Sequence, residues 1–390
     1  DAPTLEKVKA DIAAGNDPAA FNEHTFDAVT WAILEKADDA IVWYLLEQPG
    51  NDVNKRSHDG RTPIFWAAYK DNVALMKALI AKGAKTDLID SHGYSLVNFS
   101  ATTGQQNQEI YDLCLEHGAR FKEESNNDGA NPIHLIIPFL KDDTMIQYFI
   151  KNGVSFNAED KHGNNAFTYA AKTGNIAMME FALNAGLDPH ANNDAAVIFA
   201  SIGTRRGSIS MEGYEFLQQQ GLALDTKDKH NRGALYYLAS KSEDLEILQL
   251  FIDAGLTPDR ADKEGNTPFH QAASYNSGEV VQFLAKHCEN VSVANSMGET
   301  ALHLAVNNEN QEAIEVLLGM EMDINAATNE QLTPLHLAAM KAKDAEILQY
   351  LLDNGADKSL GTEFGETAYD LARENELLEK NKVNLDFLKP

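Results

Sequence analysis

The chain has 390 residues, 44% of them hydrophobic and 23% charged, and its 59 acidic against 32 basic side chains give a formal charge of −27. That composition belongs to a folding chain, not a disordered one, and the acidic field opposes nonspecific nucleic-acid or anionic-membrane binding. No run approaches the ~18 apolar residues that a membrane-spanning helix requires, and two cysteines, Cys114 and Cys288, cannot build a disulfide framework.

In chain order, Leu5 to Ala14 reads as a lone helix ending at Gly15, the cap of a larger array over about residues 1–22. From Ala28 onward one pattern returns. It is clearest as Thr333-Pro334-Leu335-His336-Leu337-Ala338-Ala339, with related copies Thr300-Ala301-Leu302-His303, Thr267-Pro268-Phe269-His270 and Thr62-Pro63-Ile64-Phe65. With the place of Pro334 as anchor, copies fall at 28, 63, 96, 132, 166, 196, 234, 268, 301, 334 and 368. A period near 33 held over eleven copies is a repeat architecture.

Each copy spells the same local structure. A Thr hydroxyl caps free N–H groups and Pro suits the first helical turn, so each Thr-Pro site is a helix start. The Ala pair gives a narrow, close-packing face. A second apolar stripe follows, as in Ile347, Leu348, Leu351 and Leu352. Gly then closes that helix in many copies, Gly255 and Gly355 among them, because it takes the left-handed position without strain. One such unit cannot bury both faces, so stacking is required. The expected fold is all-α: one solenoid over 1–390, curved and on the order of 100 Å long at ~8–10 Å per step. The charged segment Leu371–Lys380 extends as helix into a C-terminal cap at about 374–390, and a soft boundary falls near 200.

Three places break the pattern. The step from 166 to 196 is short, and Gly203–Ser208 is an insertion where a short loop is expected. Asn98 stands where other copies have His, and the closing Gly is lost at His287 and Glu321.

These motifs resemble the ankyrin-repeat family over about residues 1–375. The resemblance implies that His134, His270, His303 and His336, at the fourth motif position, are structural, bonding within and between neighbouring turns. It further implies a non-enzymatic interaction scaffold whose partner contacts the turn tips and first helices of a concave face. Carried onto this chain, the large apolar residues at such positions are Tyr69, Tyr94, Phe139, Tyr275, Met297, Leu332, Met340 and Phe364, with Phe139 open to a buried reading. Lys55, Arg56 and Arg61 form a second candidate patch, and Arg205 with Arg206 a third.

No phosphate-binding Gly-rich loop, His-Glu-x-x-His, Cys-x-x-Cys or Gly-x-Ser-x-Gly motif is present, so the expectation is no enzyme, no cofactor and no metal. His58, His92, His162 and His230 lie in successive turns, where steps of ~10 Å are too long for shared ligation. Cys114 and Cys288 lie five steps apart, on the order of 40–50 Å, too far to pair, and Cys288 beside a loop reads as the more reactive thiol. The sequon at Asn98 falls inside a helix and that at Asn290 does not. The expected partner is a protein with a basic or mixed apolar and basic surface, bound by a monomer. An accessory or inhibitory subunit docking on a specific enzyme or membrane-associated complex is the alternative. A start at Asp1 and few cysteines suit a periplasmic or other extracytoplasmic location, with the cytoplasm as alternative.

The short turn and long insertion bury less surface between neighbours, and stability in a linear array is a sum of unit and interface terms. Hydrogen exchange should therefore open residues 196–221 before residues 268–355; uniform protection would contradict this.

Overall fold

The computed structural model describes residues 3–204, 209–320 and 322–390. Among them the regular structure is helical, with isolated bridges at Lys227–Gly233, Ala294–Thr300 and Gly361–Thr367 inside turns. The chain divides into two compact units, Asp1–Asn192 and Asn193–Pro390. Each is a stack of antiparallel helix pairs, an all-α repeat solenoid.

Ten of the eleven anchors are the first residue of a helix, from Ala28–Leu34 to Ala368–Glu374. The exception is Ala196, which lies inside Ala191–Ile202. That copy has no Thr-Pro start and no Gly turn. Asn192, Asn193 and Asp194 all take positive φ there, so the element opens with a left-handed turn ahead of the anchor. The second difference is at the C-terminus. Leu371–Lys380 is not one helix but two, Ala368–Glu374 and Glu376–Lys380, because Asn375 leaves the helical region and caps the second.

Helix starts are built from capping boxes. In the second unit the Thr267 hydroxyl accepts the His270 N–H, and His270 Nδ1 accepts the Thr267 N–H at 3.1 Å. Thr300–His303 and Thr333–His336 repeat the arrangement, as does Asn131–His134 in the first unit. The other ring nitrogen reaches the following turn. His270 Nε2 donates to the Val293 carbonyl at 3.0 Å, and His336 Nε2 to Leu360 at 3.1 Å.

The turn before each helix is folded around one side chain, five residues ahead of the cap. Asp262 Oδ1 accepts from Glu264 and Asn266 N–H, and Asn295 Oδ1 from Met297 and Glu299 N–H. Thr362 does the same with its hydroxyl. In the first unit Asp90, Asn126 and Asp160 fill this place. The turns are then laddered. Ser296 N–H donates to the Glu264 carbonyl (3.0 Å), Asn329 to Met297 (2.9 Å) and Glu363 to Glu330 (3.2 Å). Gly298, at φ 82°, permits this approach, since a Cβ there would lie 2.7 Å from the Asn329 nitrogen.

Between the two helices of several pairs an asparagine bonds back to the preceding repeat; Asn310 and Asn375 also cap the second helix, a role that Ser277 takes beside Asn276. Asn310 Nδ2 donates to the Ala273 and Asn276 carbonyls at 3.0 and 2.8 Å, and Asn276 and Asn375 do likewise one repeat before and two repeats after. The core is the apolar inner surface of each pair, with Ala272, Ala273, Ala305 and Ala339 fully buried as the close-packing face.

Asn310→Ala removes a cap and two cross-repeat bonds at once, and leaves carbonyls without a donor. Denaturation in urea should show a loss of roughly 2–3 kcal/mol. Asn308→Ala, whose exposed side chain bonds only within its own helix, should stay within about 0.5 kcal/mol.

Candidate partner-binding surfaces

In the second unit the turn ladder sets the tips in one row: Glu264, Met297, Glu330 and Phe364 occupy the same place in successive turns. Met297 is 60% and Phe364 81% exposed. A second row is formed by the C-terminal ends of first helices, where Tyr275 (62% exposed) closes Pro268–Tyr275 and Met340 (50%) ends one residue inside Pro334–Lys341. Leu332 is half-buried and used internally: its N–H goes to the Thr328 hydroxyl and its carbonyl takes the His303 Nε2–H at 3.1 Å. Of the five apolar candidates in this unit, four lie on open surface.

The first unit differs from the expected basic patch. Lys55 is largely covered, with Nζ 3.1 Å from the buried Asp27 carboxylate and bonded to the Ala19 carbonyl and Asn51. Arg61 is covered as well. Its Nε donates to Asp90 Oδ2 at 2.9 Å, its Nη1 to Asp59 at 3.0 Å, and its plane lies over Phe99 and Trp66. Both cations are spent inside the unit because each faces a carboxylate of a neighbouring turn or cap. Arg56 alone of the three is exposed, with a 3.3 Å bond to the Ile89 carbonyl. Arg205 and Arg206 lie outside the described residues.

What the first unit offers is an aromatic cluster that sequence reasoning missed. Phe26, Trp31, Trp66, Tyr69 and Phe99 follow one another at centroid distances of 5.3–6.5 Å. Trp31 and Tyr69 are its exposed members, and Tyr94 is half-buried nearby against His92. The signal was available: Trp31, Trp66 and Phe99 each stand three residues after an anchor. Phe139 is exposed.

The turn histidines of this unit also behave differently from the expectation of isolated steps. His58 and His92 each bring Nε2 to 3.3 Å from the same oxygen, Oδ2 of Asp59, and His162 approaches Asp128 at 3.5 Å. A tip carboxylate of one turn reaches the histidine of the next and so spans the step. Among the described residues no group of three His, Cys, Asp or Glu side chains is placed to hold a metal ion.

Elsewhere in the second unit a shallow groove of about 410 Å³ runs over the outer helices between Met211, Leu245, Leu250 and Phe283. Both cysteines are free. Burial pushes the Cys114 thiol up to about 12. It does the same to Cys288, helped by the neighbouring Asp259 carboxylate. Cys288 is half-buried and Cys114 buried, so Cys288 is the more accessible of the two, but neither is an activated thiol, because a desolvated thiol, here also flanked by an acid, resists ionisation.

Burial also lowers the pKa of the structural histidines, to about 4 at His134 and in the same direction at His270, His303 and His336. Glu124 is the opposite case. It stands in for the histidine missing at Asn98, accepting from Ser95 and Asn98, and burial raises its carboxyl.

Comparison with known proteins agrees with this architecture. A model described as ankyrin repeats (3 copies) matches residues 29–125 and 287–362, and one described as ankyrin repeats (many copies) matches 252–305. Among curated relatives, a putative ankyrin repeat protein of Acanthamoeba polyphaga mimivirus is 23% identical over 60% of this chain and 30% of its own length. Human ankyrin repeat domain-containing protein 63 is 27% identical over 32% of this chain and 33% of its own. A putative ankyrin repeat protein of Rickettsia felis is 22% identical over 74% and 80%. The match thus spans about a third of the first two relatives.

The buried histidines predict a pH dependence. Their folded pKa values lie below the ordinary ~6.5, so the unfolded chain takes up protons first. Their stabilisation is complete above ~6.5 and is lost as pH falls towards the folded value, about 4 at His134. In a Glu124→Gln background, which removes the opposing carboxyl, the urea midpoint should fall between pH 7.5 and pH 5.0. A midpoint that rises or holds over that interval would contradict the buried neutral imidazoles.

Proposed function

This chain belongs to the ankyrin-repeat family, whose repeats are generally protein–protein interaction modules, and we propose that it is a non-enzymatic binder of a partner protein. The partner docks on the turn tips and adjoining first-helix ends of the second unit. The observation that carries this reading is the placement of Tyr275, Met297, Met340 and Phe364: four of the five exposed large apolar side chains among the described residues of this unit, Leu377 being the fifth, set in two rows. Isolated exposed apolar residues are ordinary, but aligned ones mark interaction surface. Large apolar and aromatic anchors dominate the energetics of interfaces.

The rigidity of the frame supports the same reading. Tips that are laddered by backbone bonds and folded around Asp262, Asn295 and Thr362 lose little freedom when a partner arrives. Charge supports a basic or mixed partner surface, since the chain carries a formal −27.

The double variant Tyr275→Ala, Phe364→Ala tests the site. Both side chains are exposed, so the helical signal should persist. Affinity for a stoichiometric partner captured from the source cells should fall by about 2 kcal/mol or more, roughly 30-fold. Unchanged affinity would remove the site from these rows and shift attention to Trp31 and Tyr69 of the first unit.

A further inference from the structure

Tip carboxylates are common in this chain, but most are already answered. In the first unit Asp59 is held by Arg61 at 3.0 Å and flanked by His58 and His92, and Asp128 faces His162. In the second unit Glu264 faces Arg232 at 3.5 Å. Glu330 and Glu363 are exposed, and among the described residues neither makes an ion pair. No Lys or Arg occurs between Lys286 and Lys341 to supply one. The lysines that follow are used elsewhere: Lys343 pairs with Glu309 at 2.9 Å, and Lys358 donates to the Phe387 carbonyl.

Glu330 holds the tip between the two apolar ones, and Glu363 adjoins it from the next turn, beside Phe364. Asn329 N–H bonds to the Met297 carbonyl and Glu363 N–H to the Glu330 carbonyl, so the turns of Met297, Glu330 and Phe364 succeed one another without a gap. The row therefore runs apolar, acidic, apolar, at one repeat per step. A step of stacked helices is ~8–10 Å. An extended chain in the polyproline-II conformation advances ~3.1 Å per residue with three residues per turn, so every third side chain falls on one face, about one step apart.

Building on the interaction reading above, we infer that this row takes one extended segment of the partner, with a Lys or Arg centred between two large apolar residues, each three positions away. The apolar side chains rest on Met297 and Phe364, and the cation sits at Glu330 and Glu363. Spacing supplies the specificity. A segment of the same composition with the cation next to an apolar residue cannot satisfy both tips and the carboxylates together.

The test uses the full chain and fluorescent synthetic peptides. One carries Leu-Ser-Ser-Lys-Ser-Ser-Leu in an uncharged Ser/Gly frame; the second has the same residues with Lys moved beside one Leu; the third has Glu for Lys. The first should bind at least about tenfold more tightly than the second, and the third should not bind. Glu330→Gln with Glu363→Gln should weaken the first peptide by about tenfold and reduce its salt dependence. Met297→Ala with Phe364→Ala should weaken it similarly while leaving that salt dependence in place. Equal binding of the first two peptides, or binding indifferent to both variant pairs, overturns the inference. The outcome separates from that of the site itself. If Tyr275 and Phe364 matter for capturing the partner but peptide spacing does not, the site stands and the extended segment falls.

Discussion

The fold depends on satisfying the backbone polar groups of its turns and helix starts. Each repeat buries an Ala-rich helix start against its neighbours, where an unpaired N–H or carbonyl costs roughly 1–3 kcal/mol. The chain meets that demand with few side chains per repeat. One Asp, Asn or Thr folds the turn, a Thr or Asn with its His closes the helix start, and in several repeats an asparagine caps the second helix. The His and Asn bond across to an adjacent repeat, so local capping and repeat-to-repeat cohesion are one set of bonds.

The departures from this set show what it supplies. Where Phe65 replaces the histidine, the Thr62 hydroxyl is buried without a partner. Thr168 at the same place leaves its own hydroxyl unpaired, and Asn98 its carbonyl oxygen. At Asn98 the next repeat answers in part with Glu124, a buried carboxyl bonded to Ser95 and Asn98. The first unit, which has one such histidine, compensates with aromatic packing of Trp66, Phe99 and Arg61. The second unit has three, and on its tips Met297 and Phe364 stand exposed.

Charge follows the same division. Tip carboxylates in the first unit are consumed by imidazole and guanidinium groups from the same or neighbouring turns. In the second unit the stretch without basic residues from 287 to 340, and the engagement of Lys343 and Lys358 elsewhere, leave Glu330 and Glu363 without an ion pair among the described residues. An acidic net charge states only that basic partners are favoured; the pairing inside each unit determines which carboxylates remain to meet them.

The sequence by itself determined the repeat, its period and ten of eleven helix starts, because Thr-Pro, the Ala pair and Gly act through local backbone geometry. It also marked His134, His270, His303 and His336 and the exposed Tyr275, Met297, Met340 and Phe364 by their fixed places in the repeat. What it could not determine was which groups meet across one repeat step. Lys55 and Arg61 read as a surface patch until Asp27 and Asp90 are brought to them from neighbouring repeats. The helix from Leu371 read as continuous until Asn375 is seen turned out to bond Ala339 and Ala342. The raised pKa of Cys288 could not be read until partial burial and the Asp259 carboxylate are brought to it by stacking. In each case the deciding partner lies about thirty residues away in sequence and one repeat away in space, a separation that only stacking closes.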